Sequence, residues 1–564
     1  MPAAEPSYVS GISDTPLLGE TIGAAFDRTV ARLPDGLALI VPAQSVRWTW
    51  RELAARVEAL AAGLLALGLE PGDRVGIWAP NCAEWVITQF ATAKAGLILV
   101  TINPAYRLSE LDYALNKVGC RALVAATAFK SSDYVAMLNE LLPELATATP
   151  GALQAARCPT LRFVIQISDA PAPGCLGFET ATAAGGEAER DRLAGLRETL
   201  QFDDAINIQF TSGTTGSPKG ATLTHHNILN NGYFVGRAIG LGAADRLCIP
   251  VPLYHCFGMV MGTLACAALG SAMVLPGPGF DPLAVLQTVA AERCTALYGV
   301  PTMFIAELEH PEFAQFDLTS LRTGIMAGSP CPIEVMRRVI ERMHMRDVTI
   351  AYGMTETSPV SFQSAHDDPI DRRVSTIGRI HPHLEVKIVD AHGRIVPRGM
   401  PGELCTRGYS VMLGYWDDAE RTAQAIDAAH WMHTGDLATI DAESYCNIVG
   451  RIKDLVIRGG ENVYPREVEE FLYRHPKIQD VQVFGVPDAR YGEELCAWIR
   501  VRAGEVLTAA EIRAFCEGQI AHNKVPRHIR FVDAFPMTVT GKVQKFLMRE
   551  SMRRELGAEE AVTA

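Results

Sequence analysis

Four separated segments of the chain carry residue types that a phosphate-handling chemistry needs. The densest is Phe210-Thr211-Ser212-Gly213-Thr214-Thr215-Gly216-Ser217-Pro218-Lys219-Gly220. Its glycines let successive backbone N–H groups turn toward one anion, and its Ser and Thr hydroxyls add donors. Lys219 supplies a compact positive charge for the outer phosphates. The loop is not a Walker A motif, because Pro218 stands where that motif needs Gly-Lys. In the second segment, Ala351-Tyr352-Gly353-Met354-Thr355-Glu356-Thr357, an aromatic ring suits a purine, the Thr355 hydroxyl an α-phosphate and the Glu356 carboxylate Mg²⁺. Taken alone, Tyr352 reads equally as core and Glu356 as a helix-start carboxylate. The third, Trp431-Met432-His433-Thr434-Gly435-Asp436, sets a carboxylate after a glycine turn, as a ribose diol requires; an isolated example is ordinarily a turn aspartate. The fourth, Thr538-Val539-Thr540-Gly541-Lys542-Val543-Gln544-Lys545, offers a cation after a Thr-Gly turn. Lys542 between an attacking carboxylate and an α-phosphate would offset developing charge, whereas a single lysine is more often a solvated surface residue.

These segments need elements to hold them. Thr49-Trp50-Arg51-Glu52 is a capping box, and Leu53, Val57, Leu60 and Leu64 then mark one helical face that Gly68 and Pro71-Gly72 end. Apolar strands are expected at 74–78, 97–102, 163–167, 206–210, 247–251, 272–275, 296–300 and 348–351. Uncharged strands alternating with helices imply sheets covered on both faces. The polar stretch 183–197 reads as a surface connection. Beyond Ser375, short strands at 385–389, 402–406 and 445–449 suggest a small β unit, and helices are expected at 466–473 and 509–520. Charge rises abruptly near Arg451, which places a domain boundary at Ile452/Lys453.

Composition bounds the readings. The 564 residues exceed one core and call for at least two domains. A formal charge of −13 excludes nucleic acid as the main partner but not a nucleotide held by a few local groups. The 13 cysteines show no CxxC pair or zinc-like spacing, so they read as reduced thiols in a cytoplasmic protein. The first residues, MPAAEPSYVSG, have neither a signal-peptide nor a transit-peptide pattern. No Asp, Glu, Lys or Arg occurs from Leu247 to Phe280, long enough for a membrane span. Its interior prolines and glycines divide it into strand, loop, helix (about 259–269) and strand, which favours buried core.

Together the segments TSGTTGSPKG, LYHCFG, MAGSP, AYGMTE, TGD, GRIKDLVIRGGENVYP and TVTGKVQK, in this order, resemble the adenylate-forming superfamily of acyl-CoA synthetases, luciferases and peptide-synthetase adenylation domains. The stretches NPAYRLSELDYALNKVGC and PGELCTRGYSVMLGYW are similar to those of its medium-chain fatty acid–CoA ligases. The resemblance implies an α/β fold. An N-terminal body of two αβαβα subdomains plus a small β-barrel-like unit (1–452) is joined to a smaller mobile α+β lid (453–564). It implies a two-step reaction: acid and Mg-ATP give acyl-AMP and pyrophosphate, then the CoA thiol takes the acyl group and releases AMP. Mg²⁺ is thus the implied cofactor, with ATP, CoA and a carboxylic acid as small-molecule partners. No nucleic acid and no integral membrane segment are implied, and a homodimer is the candidate assembly.

Residue by residue, the resemblance assigns the β- and γ-phosphates to Thr211, Ser212, Gly213, Thr214, Thr215, Gly216 and Lys219. It gives the α-phosphate to Thr355 and Mg²⁺ to Glu356 with Thr211. Adenine falls to Tyr352, with Gly353 and Met354 in the same segment and Gly328, Ser329 and Pro330 along its other side. The ribose falls to Asp436 and Arg451. Lys542 is the implied adenylation lysine, Lys453 the hinge, and Gly459 and Gly460 the lining of the pantetheine tunnel, although two glycines there also suit a plain hairpin turn. Acyl-pocket candidates are His255, Phe257, Met259, Tyr298, Gly299, Val300, Ala327, Cys331 and Val360. His255 is counted with the catalytic candidates Lys542, Thr355 and Glu356 as a gate between acid and thiol, beside an alternative as a core-edge histidine. The walls are mostly apolar, and 253–263 holds no carboxylate for a substrate ammonium, which disfavours amino acids. The expected substrate is a medium-chain fatty acid. The alternatives are a short-chain or aryl acid, or transfer to a carrier-protein thiol.

Overall fold

The strands Ile98–Thr101 and Ala122–Ala125 are buried at every position, the pattern of a sheet covered on both faces. The computed structural model describes residues 5–211, 218–329, 331–459, 461–488, 490–538 and 543–556. In it these two strands flank Arg74–Trp78 inside an eight-stranded sheet, parallel from Leu176–Gly177 through to Ala205–Thr211. Lys219–Thr224 and Gly414–Tyr415 complete it as antiparallel strands. A nine-stranded sheet has a parallel centre running Asp347–Gly353, Thr323–Ala327, Ala296–Gly299, Arg246–Cys248, Ala272–Val274 and Leu37–Val41. One continuous apolar cluster joins the facing sides of both sheets, from Ile77 and Leu99 to Ile249 and Tyr298.

The helix Trp50–Ala66 starts at the expected capping box. The Thr49 hydroxyl accepts from the Glu52 N–H at 3.3 Å, and the Glu52 carboxylate accepts from the Thr49 N–H at 2.8 Å. Its buried face includes Leu53, Val57, Leu60 and Leu64. The uncharged stretch after Leu247 folds inside the body. Its two strands pair in parallel, and between them wide π-type turns over Phe257–Leu264 run into the helix Ala265–Leu269. Among the described residues, no helix is long and apolar enough to cross a membrane. The polar stretch expected to be a connection is instead mostly the helix Glu187–Thr199. The Glu189 carboxylate caps the Gly186 N–H at 2.8 Å, and only Leu193 is deeply buried, so the apolar stripe is too narrow to show as a periodicity.

The expected small β unit is an antiparallel five-stranded sheet of Leu384–Val389, Gly402–Gly408, Met432–Ile440 and Cys446–Arg451, with the unforeseen N-terminal strand Tyr8–Ser10 at its edge. The C-terminal part has its own sheet around the long hairpin Ile478–Asp488/Gly492–Val501, flanked by the helices Pro465–Leu472, Ala509–Cys516 and Lys545–Glu555. Among the described residues, no core cluster draws on both sides of 449–455. The fold is α/β, a large N-terminal part followed by a smaller α+β one.

Candidate active site

Thr211 ends one strand and Lys219 begins the next, and the two face each other across an antiparallel pair. The phosphate-loop candidate therefore closes a hairpin. Ser212, Gly213, Thr214, Thr215 and Gly216 lie outside the described residues. At the loop's far end, the Tyr113 hydroxyl donates to the Pro218 carbonyl at 3.0 Å.

The second segment ends the strand Asp347–Gly353 and reverses sharply into Val360–Gln363. Gly353 is required there, because a Cβ would stand 1.8 Å from the Pro359 carbonyl oxygen. The intervening turn buries both Thr355 and Glu356. Glu356 Oε1 accepts from the Thr211 hydroxyl at 3.4 Å and from the Tyr415 hydroxyl at 2.8 Å. Tyr415 in turn accepts from Lys219 Nζ at 3.1 Å, with that ammonium 4.4 Å from its ring centroid. Burial and the Glu356 carboxylate push the Tyr415 phenol well above its ordinary value, so it stays a donor. A lysine, a phenol, a carboxylate and a threonine from three stretches of sequence thus form one polar line. Tyr415 and Tyr113 were missed by sequence reasoning. Both lie in stretches that carry the family resemblance, but nothing in their spacing points to a phosphate.

The third segment converges on the same strand end. Tyr352 donates to Asp436 Oδ2 at 2.5 Å, and Arg451 Nε donates to Oδ1 at 2.9 Å. Asp436 and Arg451 pair directly across two antiparallel strands. Burial, then the neighbouring carboxylate, raise the Tyr352 phenol. Tyr352 therefore presents its ring beside the carboxylate expected to take ribose. Gly328 has φ +91° just past the strand Thr323–Ala327, next to Ser329. Pro330 lies outside the described residues.

The apolar candidates assemble behind this line. The rings of Phe257 and Tyr298 lie 5.4 Å apart, and Tyr298 donates to the Met261 carbonyl at 3.0 Å. Met259, Val300, Ala327 and Val360 belong to the same cluster, whereas Gly299 faces Phe304 in the cluster on the sheet's other face. The π-type turns fit here because Gly258 lies against Pro252, whose carbonyl oxygen would be 2.4 Å from a Cβ. His255 Nδ1 accepts from the Phe257 N–H at 3.2 Å, which places the proton of a neutral ring on Nε2. Cys256 Sγ lies 3.9 Å from the Thr355 hydroxyl, linking this wall to the phosphate side. Cys331 is not brought to this group. Its thiol donates to the Met326 carbonyl at 3.3 Å within the cluster on the sheet's other face. Asn231, absent from the sequence reading, is buried and holds Val360 through both backbone groups, at 2.7 and 3.0 Å.

In the C-terminal part, Lys453 lies in the short turn Ile452–Asp454. Gly459 has φ +60° at the end of Val456–Arg458, where a tight hairpin opens toward Glu461–Val463. Gly460 and Lys542 lie outside the described residues.

Known proteins resemble this chain along most of its length. The family model for AMP-binding enzymes matches residues 26–416, and that for the AMP-binding enzyme C-terminal domain matches residues 467–542. The Danio rerio protein named medium-chain acyl-CoA ligase ACSF2, mitochondrial, is 50% identical over 99% of this chain and 92% of its own length. The Bacillus subtilis protein YngI is 49% identical over 95% of this chain and 97% of its own. Among solved structures, the anthranilate CoA ligase AuaEII in complex with anthranoyl-AMP superposes with a TM-score of 0.85 at 27% identity, covering 96% of this chain and 99% of that one.

Proposed function

The chain belongs to the AMP-binding enzyme family, as an AMP-forming acid–CoA ligase, and from that premise we propose that its substrate is a medium-chain fatty acid and that the site above divides the work. The observation that carries this reading is the polar line Lys219–Tyr415–Glu356–Thr211 standing against an apolar wall. Lys219 and the hydroxyls of the loop hold the outer phosphates, and Thr355 holds the α-phosphate. Glu356 and Thr211 offer hard oxygen donors, one of them a buried carboxylate, which fits Mg²⁺. Bound there, that ion neutralises charge on the phosphate oxygens. Tyr352 packs on adenine, and Asp436 with Arg451 takes the ribose hydroxyls. The substrate carboxylate attacks the α-phosphorus while the bond to pyrophosphate breaks, and Lys542 steadies the charge that builds. Lys453 then serves as the hinge between 1–452 and 453–564, so that the CoA sulfur reaches the acyl carbon past Gly459 and Gly460, and AMP leaves.

The apolar walls support a fatty tail, and the name of the vertebrate relatives, medium-chain acyl-CoA ligase, supports medium length. An aryl acid is the second reading, because the superposed ligase acts on anthranilate. We place the protein in the cytoplasm, with the mitochondrial setting of the vertebrate relatives as the alternative, and propose a homodimer. The test is AMP release with ATP, Mg²⁺ and CoA across fatty acids from acetate to palmitate and simple aryl acids, with and without CoA. CoA-dependent release peaking at medium length supports the proposal. A peak with benzoates moves the substrate to aryl acids. Pyrophosphate exchange without CoA turnover moves the acceptor to another thiol.

A further inference from the structure

The five-stranded sheet holds a second cluster of chemically able side chains that the ligase reaction does not use. Cys405 and His433 are direct cross-strand partners on Gly402–Gly408 and Met432–Ile440. Glu403 precedes Cys405 by two positions and so shares its face. Cys405 Sγ lies 3.5 Å from His433 Nδ1, and Glu403 Oε2 lies 3.0 Å from that same nitrogen. The three ligand atoms all fall within 4.8 Å of one another. On the far side of the ring, His433 Nε2 is 3.6 Å from Asp427 Oδ2. Asp427 is itself fixed by the Ala429 and Trp431 N–H groups at 2.8 and 3.0 Å.

We propose that Cys405, His433 and Glu403 form a binding site for a thiophilic divalent cation such as Zn²⁺, with Asp427 orienting the histidine. Tetrahedral zinc sets S···N and N···O edges at roughly 3.4–3.6 Å from its usual bond lengths. The Cys405–His433 spacing already matches, and the Glu403 spacing needs to open by about 0.4 Å. His433 Nδ1 donates to Glu403 Oε2; an ion binding at Nδ1 shifts that proton to Nε2, facing Asp427 Oδ2, the arrangement of carboxylate–histidine–metal triads. Three protein ligands leave a fourth position for water or another group. Cys405 is buried, while His433 and Glu403 keep 32% and 22% of their side chains exposed, which gives an entry path. The ring lies three residues before Asp436, and Glu403 Oε1 accepts from the Gly435 N–H at 3.2 Å. An ion that shifts Glu403 therefore acts on the turn that carries the proposed ribose carboxylate.

The competing account is an imidazolium ring held between two carboxylates with no metal. Titration of the chelator-treated full chain with Co²⁺, followed by absorbance, separates them. The expected result is one equivalent bound with a thiolate-to-cobalt charge-transfer band. That band disappears in the near-isosteric C405S, and D427N binds roughly 10- to 100-fold more weakly. Acid–CoA ligase activity of metal-free C405S reports that the variant is folded. Equal cobalt spectra in wild type and C405S, or no band in wild type, would overturn the proposal without touching the ligase reading.

Discussion

The body and the C-terminal part are built on the same principles but joined by very different means. Within the body, one apolar cluster runs between two sheets, and the proposed site is braced by contacts spanning long stretches of sequence, such as the 196 residues between Lys219 and Tyr415. The C-terminal part has its own apolar core and meets the body through polar contacts. Glu309 accepts from Arg502 at 3.0 Å, and Arg466 donates to the Ile448 carbonyl at 3.1 Å. Exposed pairs of this kind contribute roughly 0–1 kcal/mol each, far less than a buried apolar seam. The difference teaches that the body is suited to hold substrate groups in fixed geometry, and the C-terminal part to be repositioned at little cost.

Four substitutions test that contrast. The largest effect is expected from K542A, since the proposal makes one residue of the movable part responsible for charge in the adenylation step. Acyl-AMP formation should fall by roughly a hundred- to a thousandfold while ATP binding survives. A normal rate of acyl-AMP formation in that variant would remove Lys542 from the chemistry. Next is K453P, which fixes φ in the turn Ile452–Asp454. Adenylation should persist and thioester formation drop about tenfold or more, a barrier change of about 1.4 kcal/mol. Equal loss of both half-reactions would count against alternation about this turn.

Within the fixed part, Y415F removes the hydroxyl shared by Lys219 and Glu356. Bonds to charged groups contribute about 1.5–3 kcal/mol, so folding stability should fall by up to that amount and acyl-AMP formation should slow by roughly tenfold to a hundredfold. Unchanged pyrophosphate exchange would mean that the hydroxyl positions nothing. The smallest effect belongs to E309A, which releases the contacts from Arg502 and Gln479 of the C-terminal part. Thermal unfolding should shift by less than about 1 kcal/mol equivalent. A loss of several kcal/mol would show the two parts to be welded, against the comparison drawn above.

Much of the fold was legible. The capping box at Thr49 and the uncharged strands announce themselves because cap and strand preferences act over a few residues. The helix Glu187–Thr199 was hidden because a single deeply buried leucine leaves no readable period. The N-terminal strand Tyr8–Ser10 was hidden because it is stabilised by pairing with Leu384–Val389, more than 370 residues away. Of the proposed site, the motifs carrying Thr211, Tyr352, Glu356 and Asp436 stood out by residue type and Arg451 by the family resemblance, and the structure brings them into contact in two small groups. Cys331 was counted among the acyl-pocket candidates. Sheet geometry instead sends its thiol to the opposite face.

The sequence by itself determined which backbone segments can reverse, cap or extend, and which side chains are available to phosphate, carboxylate and thiol chemistry, since these depend on the residue and its near neighbours. Only the tertiary structure decided that Tyr415 stands between Lys219 and Glu356, that Tyr352 and Arg451 share the Asp436 carboxylate, and that Cys405 meets His433. Such pairings are set by strand register and sheet order, which follow from burying apolar faces across the whole chain and leave no local trace at the residues they join.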